Sequence, residues 1–179
     1  MKETDIESLK FPVGKYLKPD HITSRHIKEW ISEIEELPGQ IRKTVEGLTP
    51  EKLSLHYRPG GWSVRQVVHH ITDSHMNSFI RFKLTLTEDN PTIKPYLQEK
   101  WSELPDGNEA DVSYSLQMLE GLHRRWAVLL KKMTPEQFKL TYIHPERSAV
   151  QTLEGNLGLY AWHGRHHLAH IMQALELKY

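Results

Sequence analysis

Four long segments of this chain repeat their apolar residues at the three-to-four-residue spacing of an α-helix, which narrows the choice of fold to a helical bundle. The last is the most regular. Leu153, Leu157, Tyr160, Gly164, Leu168, Ile171 and Leu175 form one stripe, and Thr152 stands before it as an N-cap. A second stripe, Val64, Val67, Val68, Ile71, Phe79, Phe82 and Leu86, predicts a helix over about Val64–Thr87 capped by Ser63. A third helix is predicted from about Ser113 to Met133, with Leu116, Leu119, Leu122, Trp126, Leu129 and Leu130 inward. The first, from about Thr23 to Leu48, carries Ile27, Trp30, Ile31, Ile34, Ile41 and Val45, with a kink expected at Pro38 and Gly39.

The connections are long. Residues 88–112 contain Pro91, Pro95, Pro105 and Gly107, together with Tyr96 and Trp101, whose rings either cover a cavity or pin the crossover to the bundle. Residues 134–151 form another connection, with a short helical turn around Glu136–Phe138 and no convincing strand. Residues 1–20 are expected to be an extended lead-in. The predicted fold class is therefore all-α, a four-helix bundle with long crossover connections in a single domain spanning residues 1–179.

Lys plus Arg and Asp plus Glu both number 23 among 179 residues, with no long run of one sign. This argues against nucleic acid or a charged membrane surface as partner, since both need a clustered basic face. No apolar run approaches about 18 residues and the first ten lack a secretory core, so a cytoplasmic location is expected. With no cysteine, the chain offers no disulfide, thiolate ligand or sulfur nucleophile of its own. Its 12 histidines carry the metal chemistry.

Four of them, His163, His166, His167 and His170, fall within the segment WHGRHHLAH. Histidines four apart on a helix can grip one ion, and two such pairs exist here. At about 100° per residue, His163 and His167 average roughly 90° from the stripe centre, whereas His166 and His170 average roughly 150°. The first pair borders the core and is the better ligand candidate; the second is expected to be more solvated. On the second helix, His69 and His70 lie equally far from their stripe and His75 near its middle, so periodicity does not choose a third ligand. His75 reads as a core histidine bonded to a neighbour, and His69 as exposed.

The blocks FPVGKY, GGWSVRQVVHHITDSHMNSFIRFKLTLTE, KPYLQEKWSEL and LGLYAWHGRHHLAHI, in this order from Phe11 to about Met172, resemble the DinB-like metalloprotein superfamily and within it the bacillithiol S-transferases. The resemblance implies one divalent metal ion per subunit, zinc or nickel, held by His70, His163 and His167. It also implies a homodimer. Three imidazoles would leave open positions on the ion, as in catalytic sites. The activity implied is conjugation of bacillithiol to electrophilic small molecules, with the thiolate activated at the metal. A metal-dependent hydrolase using hydroxide and a non-catalytic metal-binding protein are the alternatives. No residue beyond the ligands earns a catalytic assignment. Asp73 reads as a surface carboxylate, with orientation of a ligand as the alternative, and Asn77 and Arg81 as polar groups on a solvent-facing sector, with substrate contact as the alternative. Trp62 reads as a pocket wall or loop staple, and Tyr160 mainly as packing, with its hydroxyl in reach of the cleft as the alternative. No nucleophile elbow or phosphate-cradling loop is present.

Overall fold

The computed structural model describes residues 3–147 and 149–179. Its frame is four long helices: α2 (Ser24–Val45), α4 (Val64–Thr87), α7 (Val112–Lys132) and α9 (Leu153–Leu177). Short helices α1 (Glu3–Lys10), α3 (Pro50–Leu53), α5 (Gln98–Trp101), α6 (Pro105–Asn108) and α8 (Pro135–Phe138) occupy the lead-in and connections. The starts of α4 and α9 follow from side-chain chemistry. The Ser63 hydroxyl accepts from the Gln66 N–H while the Gln66 side chain accepts from the Ser63 N–H, and Thr152 accepts from the Gly155 N–H.

Around the bundle, α2 packs on α7 and α9, and α4 packs on the same two, so α2 and α4 lie diagonally across from each other. Apolar side chains gather in two halves. Trp30, Ile34, Phe82, Trp126, Leu153 and Leu157 belong to one; Ile41, Val67, Ile71, Leu119 and Ile171 belong to the other. The order in which each helix visits the halves shows that α2 and α9 run one way and α4 and α7 the other. Neighbours α4 and α7 are therefore parallel, and the chain between them must travel back along the bundle. That return is the long crossover bearing α5 and α6.

Helix α2 runs as a single element through Pro38 and Gly39, with Pro38 buried. Two expectations need correction. The lead-in is not extended throughout, because α1 forms there. The connection before α9 holds an antiparallel hairpin, β1 (Thr141–His144) with β2 (Ala149–Thr152), in register Thr141 to Thr152. Its strands of four residues are too short to show a period, although Tyr142 and His144 alternate inward. The hairpin is tied to the crossover where Ile93 donates to the Ile143 carbonyl at 3.0 Å. No helix among the described residues is long and apolar enough to cross a membrane.

Gly164 sits where α9 meets α2. A Cβ there would lie 2.6 Å from Leu37 Cδ2, so the absence of a side chain permits this close approach.

Candidate metal centre

Between the two apolar halves, at the waist of the bundle, each long helix contributes polar atoms: His70 and His75 from α4, His123 from α7, His163, His167 and His170 from α9, and the Ile34 carbonyl from α2. One ring nitrogen from each of His70, His163 and His167 falls within 4.8 Å of the others, a group able to hold a metal ion. Nε2 of His70 and Nε2 of His163 are 3.3 Å apart. Two nitrogens bound tetrahedrally at about 2.0–2.1 Å from one zinc ion would be separated by about 3.3–3.4 Å, so the donors are spaced as such an ion requires.

Burial keeps these imidazoles neutral. It pushes His70 down to about 3, with the nearby His166 adding to the effect, and holds His163 and His167 well below the usual histidine value. Their lone pairs are thus available at neutral pH.

Two hydrogen-bond chains then fix which nitrogen carries each proton. The Ile34 carbonyl can only accept, so His123 donates to it through Nδ1 and presents a bare Nε2. His75 donates through Nδ1 to that nitrogen at 3.0 Å. The bare Nε2 of His75 accepts from His163 Nδ1 at 3.2 Å, which leaves the Nε2 of His163 as a free donor pair. The second chain has the same logic. His170 donates through Nε2 to the Lys10 carbonyl at 3.1 Å, and its Nδ1 accepts from His167 Nδ1 at 3.3 Å, leaving Nε2 of His167 free. Neutral imidazole has one donor and one acceptor, so each carbonyl dictates the state of the ring two or three links away.

His166, His167 and His170 also cluster within 4.8 Å. In that group His170 has both nitrogens engaged and His167 already donates to it, so its hydrogen bonds favour the first group as the ligand set. His166 Nδ1 is buried without a partner, and its ring stacks on Trp162 at 4.5 Å.

The surroundings of several residues differ from expectation. His166 and His170 are buried, not solvated: α1 supplies the Lys10 carbonyl and Tyr57 stacks on His170 at 3.8 Å. His69 is buried too, sandwiched between Ser115 Oγ at 2.7 Å and the Ala110 carbonyl at 3.3 Å. Arg81 is buried rather than at the surface, its Nη1 donating to the Tyr160 hydroxyl at 3.3 Å. Tyr160 therefore does more than pack. Asp73 is half-buried, and burial followed by the nearby Asp106 raises it to about 6. Trp62 is a wall, its ring 4.5 Å from that of His70. His75 is the hydrogen-bonded core histidine expected.

Two cavities reach the histidines. One, of about 540 Å³, is bounded by α4, the crossover, the hairpin and α9, and includes Arg81, Tyr96, Tyr160 and His163. The other, of about 310 Å³, includes Tyr57, Trp62, His70, His163 and His167. His163, Trp162, Gln98 and Glu99 line both. Tyr96 thus borders a cavity while its ring also packs on Trp101 at 4.6 Å, so covering and pinning are combined in one residue. A third cavity, of about 570 Å³ beside α2 and α8, has no histidine in its walls.

Comparison with known proteins gives the same picture. YfiT of Bacillus subtilis, which carries the name "Putative metal-dependent hydrolase YfiT", is 49% identical over 166 residues, covering 93% of each chain. A relative from Bacillus mycoides with the same descriptor is 50% identical over 171 residues, covering 96% of this chain and 98% of its own. The solved structure of Bacillus subtilis YfiT, described as an unusual four-helix bundle topology, superposes with a TM-score of 0.92 at 47% identity, covering 96% of this chain and 98% of the other. The sequence profile of the DinB superfamily matches residues 33–171. By its bundle, its histidine waist and these relatives, the chain belongs to the DinB superfamily.

Proposed function

We propose that the protein is a metal-dependent thiol S-transferase that joins a low-molecular-weight thiol, bacillithiol, to electrophilic small molecules, with His70, His163 and His167 as ligands of one divalent ion. The observation that carries this reading is the meeting of two cavities at His163. Two small molecules can approach one site from different sides, as a transfer between them requires. Hydrolysis by water needs only one such chamber.

Zinc and nickel both suit three imidazoles, and such an ion supplies Lewis acidity that favours the deprotonated form of a thiol brought to it. The protein's own groups do the rest. His75 and His170 hold His163 and His167 in the tautomer that offers Nε2. Trp62 packs against the rings of His70 and His167 and shields them from bulk water. In the reaction the sulfur bonds to the electrophilic carbon, the leaving group departs with its bonding pair, and the thiol proton passes to solvent. The chain has no cysteine to compete as acceptor of the electrophile.

The relatives' names favour a second reading on the same site, hydrolysis with water in place of the thiol. Metal-loaded protein assayed with a chromogenic electrophile separates the two. Conjugation with bacillithiol, but not with glutathione, cysteine or no thiol, is expected. Turnover in the thiol-free sample would replace transfer by hydrolysis, and inactivity throughout would leave a metal-binding module.

The hydrogen-bond chain makes its own prediction. His75→Leu preserves volume but leaves His163 Nδ1 without its acceptor, and loss of such an outer partner typically costs about 10–100-fold in metal affinity. Competition against a colorimetric chelator should show a loss of that size with the helical spectrum retained. Unchanged affinity would mean that His75 does not position His163.

A further inference from the structure

We propose that Arg81 is the anchor of an oxyanion-binding subsite in the larger cavity, taking a carboxylate or phosphate group of the substrate whose reacting end lies at His163. This inference rests on the reading of that cavity as a substrate chamber.

Arg81 is 8% exposed, and its guanidinium cannot shed its charge to escape burial. A buried cation ordinarily has a carboxylate beside it, because an unpaired one is costly to remove from water. Here the hydrogen bond from Nη1 to the neutral Tyr160 hydroxyl employs one of five N–H donors, and none of the ion pairs among the described residues involves Arg81. Arg25, Arg42, Arg124 and Arg165, all less buried, each have a glutamate partner. Arg58, Arg65 and Arg125 also lack an acid, but each is more exposed, so Arg81 is the most buried guanidinium among the described residues and has no carboxylate beside it.

The rest of the cavity does not supply that acid. Its carboxylates, Glu99 and Glu146, are exposed, where water screens them. The neutral groups are already engaged with one another: Tyr142 donates to Asn156 Oδ1 at 3.0 Å, and Asn156 donates to Ser78 Oγ at 2.8 Å. They shape the chamber without neutralising Arg81. A planar guanidinium with spare donors on a cavity wall matches an oxyanion in a bidentate fork.

Placement gives the subsite a use. Tyr160 touches Arg81 through its hydroxyl, while its ring centroid is 5.4 Å from that of His163. An anion seated on Arg81 is thus about one tyrosine away from the ligand shared by both cavities. Such two-point attachment would orient the reacting end.

The test is calorimetric titration of the full-length, EDTA-treated protein with succinate, inorganic phosphate and neutral succinamide. Wild type should bind at least one of the two anions and not succinamide, with Arg81→Met weakening binding tenfold or more and Arg81→Lys, which keeps the charge but loses the fork, giving an intermediate loss. Absence of anion binding by wild type, or equal binding by Arg81→Lys and Arg81→Met and wild type, overturns the proposal. Wild type and Arg81→Lys decide the matter even if Arg81→Met does not fold. Succinate and phosphate affinities rank the two oxyanions. Metal content after reloading is measured on the same preparations: protein that takes up metal but no anion refutes the subsite alone, and protein that binds the anion but no metal refutes the metal reading alone.

Discussion

Replacing His163 with alanine is expected to abolish stoichiometric metal loading while leaving the helices formed, and His70→Ala and His167→Ala should do the same. Structural zinc sites with four ligands gain about 10–16 kcal/mol in total, or about 2.5–4 kcal/mol per ligand, so one deletion should weaken affinity by roughly 60–700-fold. The fold should survive because the apolar halves on either side of the waist hold the bundle. His163→Ala also leaves the Nε2 of His75 without its donor, a cost of about 1–3 kcal/mol that should lower the melting temperature without unfolding the protein. His166→Ala is the control. Its ring stacks on Trp162 and its Nδ1 has no partner, so it should lose less than a tenth as much affinity as the ligand variants. Elemental analysis and circular dichroism of the four variants check the contrast. Equal metal loss in His166→Ala would move the site to the cluster with His167 and His170.

The bundle was legible because each long helix carries its own instructions. Ser63 and Thr152 begin helices by satisfying N–H groups three residues on, and the apolar stripes repeat for five or more turns. The pair His163 and His167 was legible for the same reason, since both lie on one helix beside a stripe. What sequence periodicity could not see was cover supplied from remote segments. A stripe measures a residue against its own helix axis, yet His170 is buried by α1 and Tyr57, and His69 by the crossover end at Ala110. Arg81 was misread in the same way, because the crossover and hairpin close over that face of α4. His69 and His70 could not be separated by angle, and only the resemblance pointed to His70. In the structure the difference is plain: His69 is consumed by Ser115 and Ala110, whereas His70 faces His163. The hairpin escaped notice because four-residue strands offer too little alternation to distinguish them from loop.

The metal-free protein is expected to unfold in mild acid, and the waist is the reason. His70 and His123 are held at about 3 and about 4 by burial, and His75, His163 and His167 are also held well below 6.5. In the unfolded chain each returns to about 6.5, so below that pH the unfolded state binds more protons than the folded one. Stability is therefore complete above about pH 6.5 and declines as pH falls toward the folded values. Each group contributes about 1.4 kcal/mol per pH unit in that window, and five acting together would lose about 7 kcal/mol per unit. A domain of this size has about 5–15 kcal/mol to lose, which places the acid midpoint one to two units below 6.5. Asp73, raised to about 6, works in the opposite direction, since it binds its proton more tightly when folded, but it is one group against these five and against His69, His166 and His170, which burial also lowers. Bound metal should displace the transition to lower pH, because ligation requires His70, His163 and His167 to stay deprotonated. Urea midpoints of EDTA-treated protein between pH 8 and pH 4.5 measure this directly. A midpoint unchanged down to pH 4.5 would show that the five imidazoles are not held neutral by burial, and with that the lone pairs assigned to the ligand set would lose their physical basis.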